Sequence, residues 1–118
     1  MDRVFIKNLQ VLGILGIHAH EQRTPQPIRI SAAATTDIKA AAKADDIRQT
    51  VNYSTLAKRI TTFIDANPCL TIEALIESLA AEILTDERIQ TIWLRIEKPN
   101  AVPTAETVGV EITRSRQV

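Results

Sequence analysis

The stretch Thr71-Ile72-Glu73-Ala74-Leu75-Ile76-Glu77-Ser78-Leu79-Ala80-Ala81-Glu82-Ile83-Leu84 decides the fold. Ile72, Leu75, Ile76, Leu79, Ile83 and Leu84 recur at helical spacing and make one wide apolar face, and Thr71 offers a hydroxyl suited to capping. Upstream, Leu56, Ile60, Phe63 and Ile64 form a second stripe of the same kind, opening at Tyr53 and Ser54 and interrupted by Pro68. Two amphipathic helices in succession need a flat apolar surface to cover.

Both flanks supply it. Residues 90–98 alternate, with Ile92, Leu94 and Ile96 on one side and Thr91, Trp93, Arg95 and Glu97 on the other. Pro99 and Pro103 bracket a loop, after which Val108, Val110 and Ile112 alternate through residues 107–114 as a last strand. At the other end, Ile28, Ile30, Ala32 and Ala34 share one face of a strand. Residues 4–17 read as a strand too, with Gly13 and Gly16 marking a bend or bulge. Between them, residues 18–26 are polar, with Pro25 and then Pro27, and read as a loop. A short Ala- and Lys-rich helix at residues 38–44 precedes the main pair. The expected class is α+β, order ββααββ: a four-stranded antiparallel sheet with two main helices on one face.

A chain of 118 residues fits one domain over residues 1–118. Apolar residues make up 45% and aromatics only 3%, so Ile, Leu, Val and Ala must build the core. So small a domain would complete its burial by joining copies of itself. Fourteen basic residues balance fourteen acidic ones without a basic stripe, which gives no reason to expect nucleic acid or an anionic membrane as partner. No apolar run approaches the roughly 20 residues that span a bilayer. The first seven residues alternate and form no signal-peptide core, so the expected location is cytoplasmic.

Several fragments, in order and at consistent spacing, carry a resemblance. They are Gly16-Ile17, Glu21-Gln22, Pro25-Gln26, Asp45-Asp46-Ile47, Thr50-Val51-Asn52-Tyr53, Leu75-Ile76-Glu77-Ser78-Leu79-Ala80, Glu97-Lys98-Pro99, and Val108-Gly109-Val110 closing with Arg114. Along nearly its whole length the chain resembles the dihydroneopterin aldolase family. The resemblance implies the tunnelling fold, in which four subunits join their sheets into a barrel and two rings commonly stack into an octamer, with active sites between adjacent subunits. Closing the ring would also pair the sheet's open edges.

The resemblance further implies a small pterin substrate, no cofactor, and a metal-free retro-aldol cleavage without a Schiff base. By the same match Glu77 becomes the pterin anchor, helped by backbone groups near Ile76. An ionised carboxylate is acceptor-only and receives two parallel donors. Taken alone, Glu77 is an ordinary helix glutamate, and Glu73 one turn earlier is its equal candidate. Lys98, held extended before Pro99, becomes the catalytic lysine. Tyr53, supplied by a neighbouring subunit, becomes the second proton carrier, with Val51 giving main-chain contacts. Glu21 helps hold a water or the lysine near the substrate's side-chain hydroxyls.

Other readings are weaker. His18 and His20 share a face if that segment is extended, yet no third ligand stands at metal spacing. Cys69 lacks a basic neighbourhood and reads as a packed thiol; being alone, it allows no internal disulfide. Three glycines without the phosphate-loop spacing give no nucleotide site. Two alternatives stand beside the aldolase: an epimerase of the dihydroneopterin type on the same fold, and a non-catalytic oligomeric ligand-binding scaffold.

Overall fold

A computed structural model of the chain describes residues 1–116. Strands β1 (Asp2–Gly13), β2 (Gln26–Thr36), β3 (Thr91–Glu97) and β4 (Gly109–Ser115) form one antiparallel sheet in the order β1-β2-β3-β4. Between β2 and β3 lie α1 (Lys39–Ala44), a 3-10 turn (Ile47–Gln49), α2 (Tyr53–Ala66) and α3 (Ile72–Ile83). The α+β class and the ββααββ order are as the periodicity predicts.

Alternation decides which face the helices cover. Ile28, Ile30, Ala32 and Ala34 of β2 are fully buried, as are Ile92, Leu94 and Ile96 of β3, and they stand opposite one another in register (Ile30 with Ile96, Ala32 with Leu94, Ala34 with Ile92). Leu56, Ile60 and Ile64 of α2 and Leu75, Ile76, Leu79, Ala80 and Ile83 of α3 close over them. Helix α2 lies against β1, and α3 against β3 and β4. Ala32 and Ala34 lie on β2, between the strands that the two helices pack against, and are buried completely.

Local chemistry sets where the helices begin. Thr71 Oγ1 accepts from the Ala74 backbone at 3.1 Å, the expected cap. Asn52 Oδ1 accepts from the Ser54 and Thr55 backbones at 2.9 and 3.4 Å, so Asn52 is the cap that places Tyr53 first in α2.

The first strand departs from expectation. It ends at Gly13, and its irregularity falls between Ile6 and Leu9, not at the glycines. Asn8 adopts a left-handed φ of 58°, and its backbone N–H donates to Ser31 Oγ at 3.0 Å. Asparagine tolerates that conformation better than other non-glycine residues, which is why the bulge settles there. Beyond the strand, Leu15 pairs with Cys69 in a single parallel bridge.

Among the described residues no helix covers the other sheet face. It carries Phe5 and Leu12, each about two-thirds exposed, along with Arg29, Trp93 and Arg95. Glu97 is buried there beside Arg29 (3.8 Å) and Arg95 (4.0 Å). Strands β1 and β4 are both open edges, and β1 is 12 residues long. Among the described residues no helix is long and apolar enough to cross a membrane.

Leu79 is fully buried at the centre of the α3 face. Leu79→Ala should lower unfolding free energy by about 3 kcal/mol, read from urea denaturation at fixed protein concentration.

Candidate active site

The chain's two pinned loops create a cleft at one end of the sheet. Leaving β1, the Gly16 N–H donates to the Cys69 carbonyl at 3.2 Å, and the Cys69 N–H donates to the Ile14 carbonyl at 3.3 Å. These bonds fix the segment after α2 against the segment after β1. They bring the turn at residues 18–24 beside the first turn of α3. Lys98 follows β3 directly, and its N–H donates to the Val108 carbonyl at 2.9 Å. Glu21, Lys98, Glu73, Ile72, His18 and His20 thus line one cleft of about 650 Å³. That volume is in the range of small-molecule sites.

Inside it, Lys98 Nζ lies 2.7 Å from Glu21 Oε2, and both side chains are nearly sequestered at 14% and 13% exposure. Gln26 Nε2 donates to the same carboxylate at 3.1 Å and to the Leu15 carbonyl at 2.6 Å, and the His18 backbone donates to Glu21 Oε1 at 3.3 Å. The Lys98 ammonium first, then Gln26, hold the Glu21 carboxyl down to about 2, against the opposing effect of burial. Gly16 makes room for this carboxylate: its φ is +151°, and a Cβ there would overlap the Glu21 carboxyl group.

The structure brings together Glu21 and Lys98 of the residues expected at the site, and it does not bring the others. Glu77 lies outside the cleft, 57% exposed, with Arg114 Nη2 2.7 Å from its carboxylate. Glu73, one turn earlier, is the α3 carboxylate that faces Lys98's cleft. Ile76 is buried in the core mid-helix, so its backbone does not border the cleft; Ile72 does. Val51 is buried beside a separate groove with Arg59 and Arg88. Tyr53 is 59% exposed at the start of α2, whereas the cleft lies past that helix's end. Fourteen helical residues span about 20 Å, which puts Tyr53 out of reach of Lys98 in its own chain.

The sequence offers Glu73 as an equal candidate, set aside there for Glu77, and gives Gln26 and Gly16 no role; the fold places all three at the cleft or against its carboxylate. The glutamate ambiguity has a visible source: Ile-Glu-x-Leu occurs twice, at residues 72–75 and 76–79, and the two carboxylates share a helix face. Cys69 donates to the Asn67 carbonyl at 3.3 Å and burial pushes its thiol up, as befits a packed residue. Among the described residues no cluster of three or more His, Cys, Asp or Glu is placed to hold a metal ion.

Comparison with known proteins gives a consistent result. The family model described as dihydroneopterin aldolase (FolB) matches residues 4–113. The chain is 32% identical to the dihydroneopterin aldolase of Haemophilus influenzae, over 97% of each chain. A crystal structure described as a putative dihydroneopterin aldolase from Vibrio cholerae superimposes with a TM-score of 0.93 at 33% identity, over 98% of both chains. The Escherichia coli dihydroneopterin aldolase, solved in complex with neopterin, gives 0.93 at 29% identity, over 98% of this chain and 100% of that one.

The ion pair makes a pH prediction. Because the Glu21 pKa is depressed in the folded state, the pair contributes its full stabilisation above the ordinary carboxylate value of 4.5 and loses it as pH falls towards about 2. A carboxyl carbon NMR titration should give a Glu21 midpoint near 2, and Lys98→Met should move it up towards 4.5. An unmoved midpoint would contradict the pairing.

Proposed function

The chain belongs to the dihydroneopterin aldolase family, and from that premise we propose how its residues carry the reaction. The substrate is 7,8-dihydroneopterin, and the products are 6-hydroxymethyl-7,8-dihydropterin and glycolaldehyde, a step of folate biosynthesis. The observation that carries this assignment to residues is the Glu21–Lys98 pair beside Glu73 in one cleft.

The chemistry asks little of the protein beyond position and proton transfer. Removing the proton from the hydroxyl on the second side-chain carbon starts the cleavage. The bond between the first and second side-chain carbons breaks, glycolaldehyde departs, and the electron pair moves into the ring. The ring's C=N bond adjoins the cleaved carbon and accepts that pair as an enamine, its nitrogen taking up a proton. Reprotonation of the remaining carbon, with loss of the nitrogen's proton, completes the hydroxymethyl product. Recapture of glycolaldehyde by the same intermediate, with the opposite face presented, gives epimerisation as a side reaction.

Glu73 anchors the pterin edge: its carboxylate accepts from the amino group and a ring nitrogen in parallel. The role expected of Glu77 passes to it, because Glu77 is occupied with Arg114. Lys98 exchanges protons at the reacting carbons, directly or through an ordered water. Glu21 fixes the amine through the 2.7 Å contact and aligns the side-chain hydroxyls. Tyr53 comes from a second copy of the chain as the other proton carrier, and the Val51 backbone borders the pterin from the same copy. Its 59% exposure and its distance from its own Lys98 support that division. So do the two open sheet edges, which pair when copies close into a tetrameric ring or a stacked octamer. We place the enzyme in the cytoplasm, with neither nucleic acid nor membrane as partner.

Incubation with 7,8-dihydroneopterin should release glycolaldehyde; isomer alone would indicate an epimerase, and no turnover a scaffold. Lys98→Ala and Tyr53→Phe should each reduce turnover by at least about 100-fold while pterin affinity stays within a few-fold. Glu73→Ala should weaken pterin binding by about 2 kcal/mol or more, since it strands buried donors, and Glu77→Ala should leave it unchanged. Calorimetry with a pterin product measures both, and the reverse ranking would return the anchor to Glu77.

A further inference from the structure

His18 and His20 have no part in the reaction as described, yet both line its cleft. Their rings are parallel to within 3° and their centroids lie 5.8 Å apart. The arrangement is built by the turn: the Glu21 and Gln22 N–H groups both donate to the His18 carbonyl, at 3.0 and 3.3 Å, and the Arg23 N–H donates to the His20 carbonyl at 3.3 Å. Among the described residues no ring nitrogen of either histidine takes part in a hydrogen bond. Two imidazole edges therefore stand side by side, unengaged, on the same turn as the carboxylate paired to Lys98.

We infer that His18 and His20 hold the outer end of the substrate's polyol tail, and hold glycolaldehyde in the cleft after the bond breaks. This rests on the reaction proposed above. The tail is the part of the substrate that meets Glu21, and His18 and His20 stand on the same turn, three and one positions before it, where both line the cleft. A neutral imidazole has one donor and one acceptor nitrogen, which suits hydroxyl and carbonyl oxygens alike. The charge of the cleft selects an uncharged tail over a phosphate ester. Glu21 and Glu73 place two carboxylates against the single ammonium of Lys98, so a phosphate dianion would meet net repulsion. By detaining the two-carbon fragment, the pair gives it time to rebind in the other orientation. It thereby sets the ratio of epimerisation to cleavage.

The test uses the reverse reaction, condensing 6-hydroxymethyl-7,8-dihydropterin with glycolaldehyde, beside the epimer-to-cleavage ratio in the forward direction. For His18→Ala/His20→Ala the KM for glycolaldehyde should rise about tenfold and the epimer fraction should fall at least threefold, as two hydrogen bonds are lost. Affinity for 6-hydroxymethyl-7,8-dihydropterin, which lacks the outer carbons, should change less than twofold. His18→Gln/His20→Gln, whose amides still donate and accept, should retain most of the wild-type ratio. An unchanged glycolaldehyde KM and epimer fraction would overturn the inference. So would a matching loss of affinity for the tail-less pterin, which would mean that the histidines only support the turn. Wild-type enzyme assayed in parallel separates the failures. Active wild type with unaffected variants removes the histidine role alone, whereas wild type with no turnover in either direction removes the reaction and the inference together.

Discussion

An ammonium and a carboxylate 2.7 Å apart, from residues 77 positions apart in the chain, are the contact around which the site is organised. Its geometry depends on features that otherwise look incidental. Gly16 leaves the space the carboxylate fills, Gln26 ties that carboxylate to the Leu15 carbonyl, and the bonds between residues 14–16 and Cys69 hold the loop against α3. An exposed ion pair of this kind would be worth little. Here both partners are nearly sequestered, and the neighbouring donors fix the carboxylate in one orientation. What the fold supplies is a lysine whose position does not wander.

Much of the fold was legible in the residues because its core is almost purely aliphatic. Period-two alternation in residues 28–36 and 90–98 and the two helical stripes each bury one face, so pattern and packing agree. The bulge was less legible. Glycines are the usual markers of such a break, but Asn8 carries it, stabilised by Ser31 on the next strand, a contact invisible to local reading. The cap at Asn52 could have been found, since asparagine before a helical stripe is a standard start signal.

The site was half legible. Glu21 and Lys98 follow from the matched fragments, and the structure places them together. The α3 carboxylate that borders this cleft does not follow from them, because a glutamate on α3 repeats with the period of the helix; only the tertiary placement of each turn separates the cleft carboxylate from the one beside Arg114. Gly16 illustrates the same limit: its spatial neighbour is five positions on, a contact that only the folded turn creates.

In the proposed reaction Tyr53, exposed at the start of α2, meets Lys98 across a subunit boundary. Mixing Lys98→Ala and Tyr53→Phe subunits, dissociating them and reassembling them together tests this directly. If each site draws its lysine from one copy and its tyrosine from the next, random assembly should restore roughly a quarter of wild-type turnover from two crippled parents. A reassembled mixture no more active than the mean of those parents would place both groups in one chain and contradict the account.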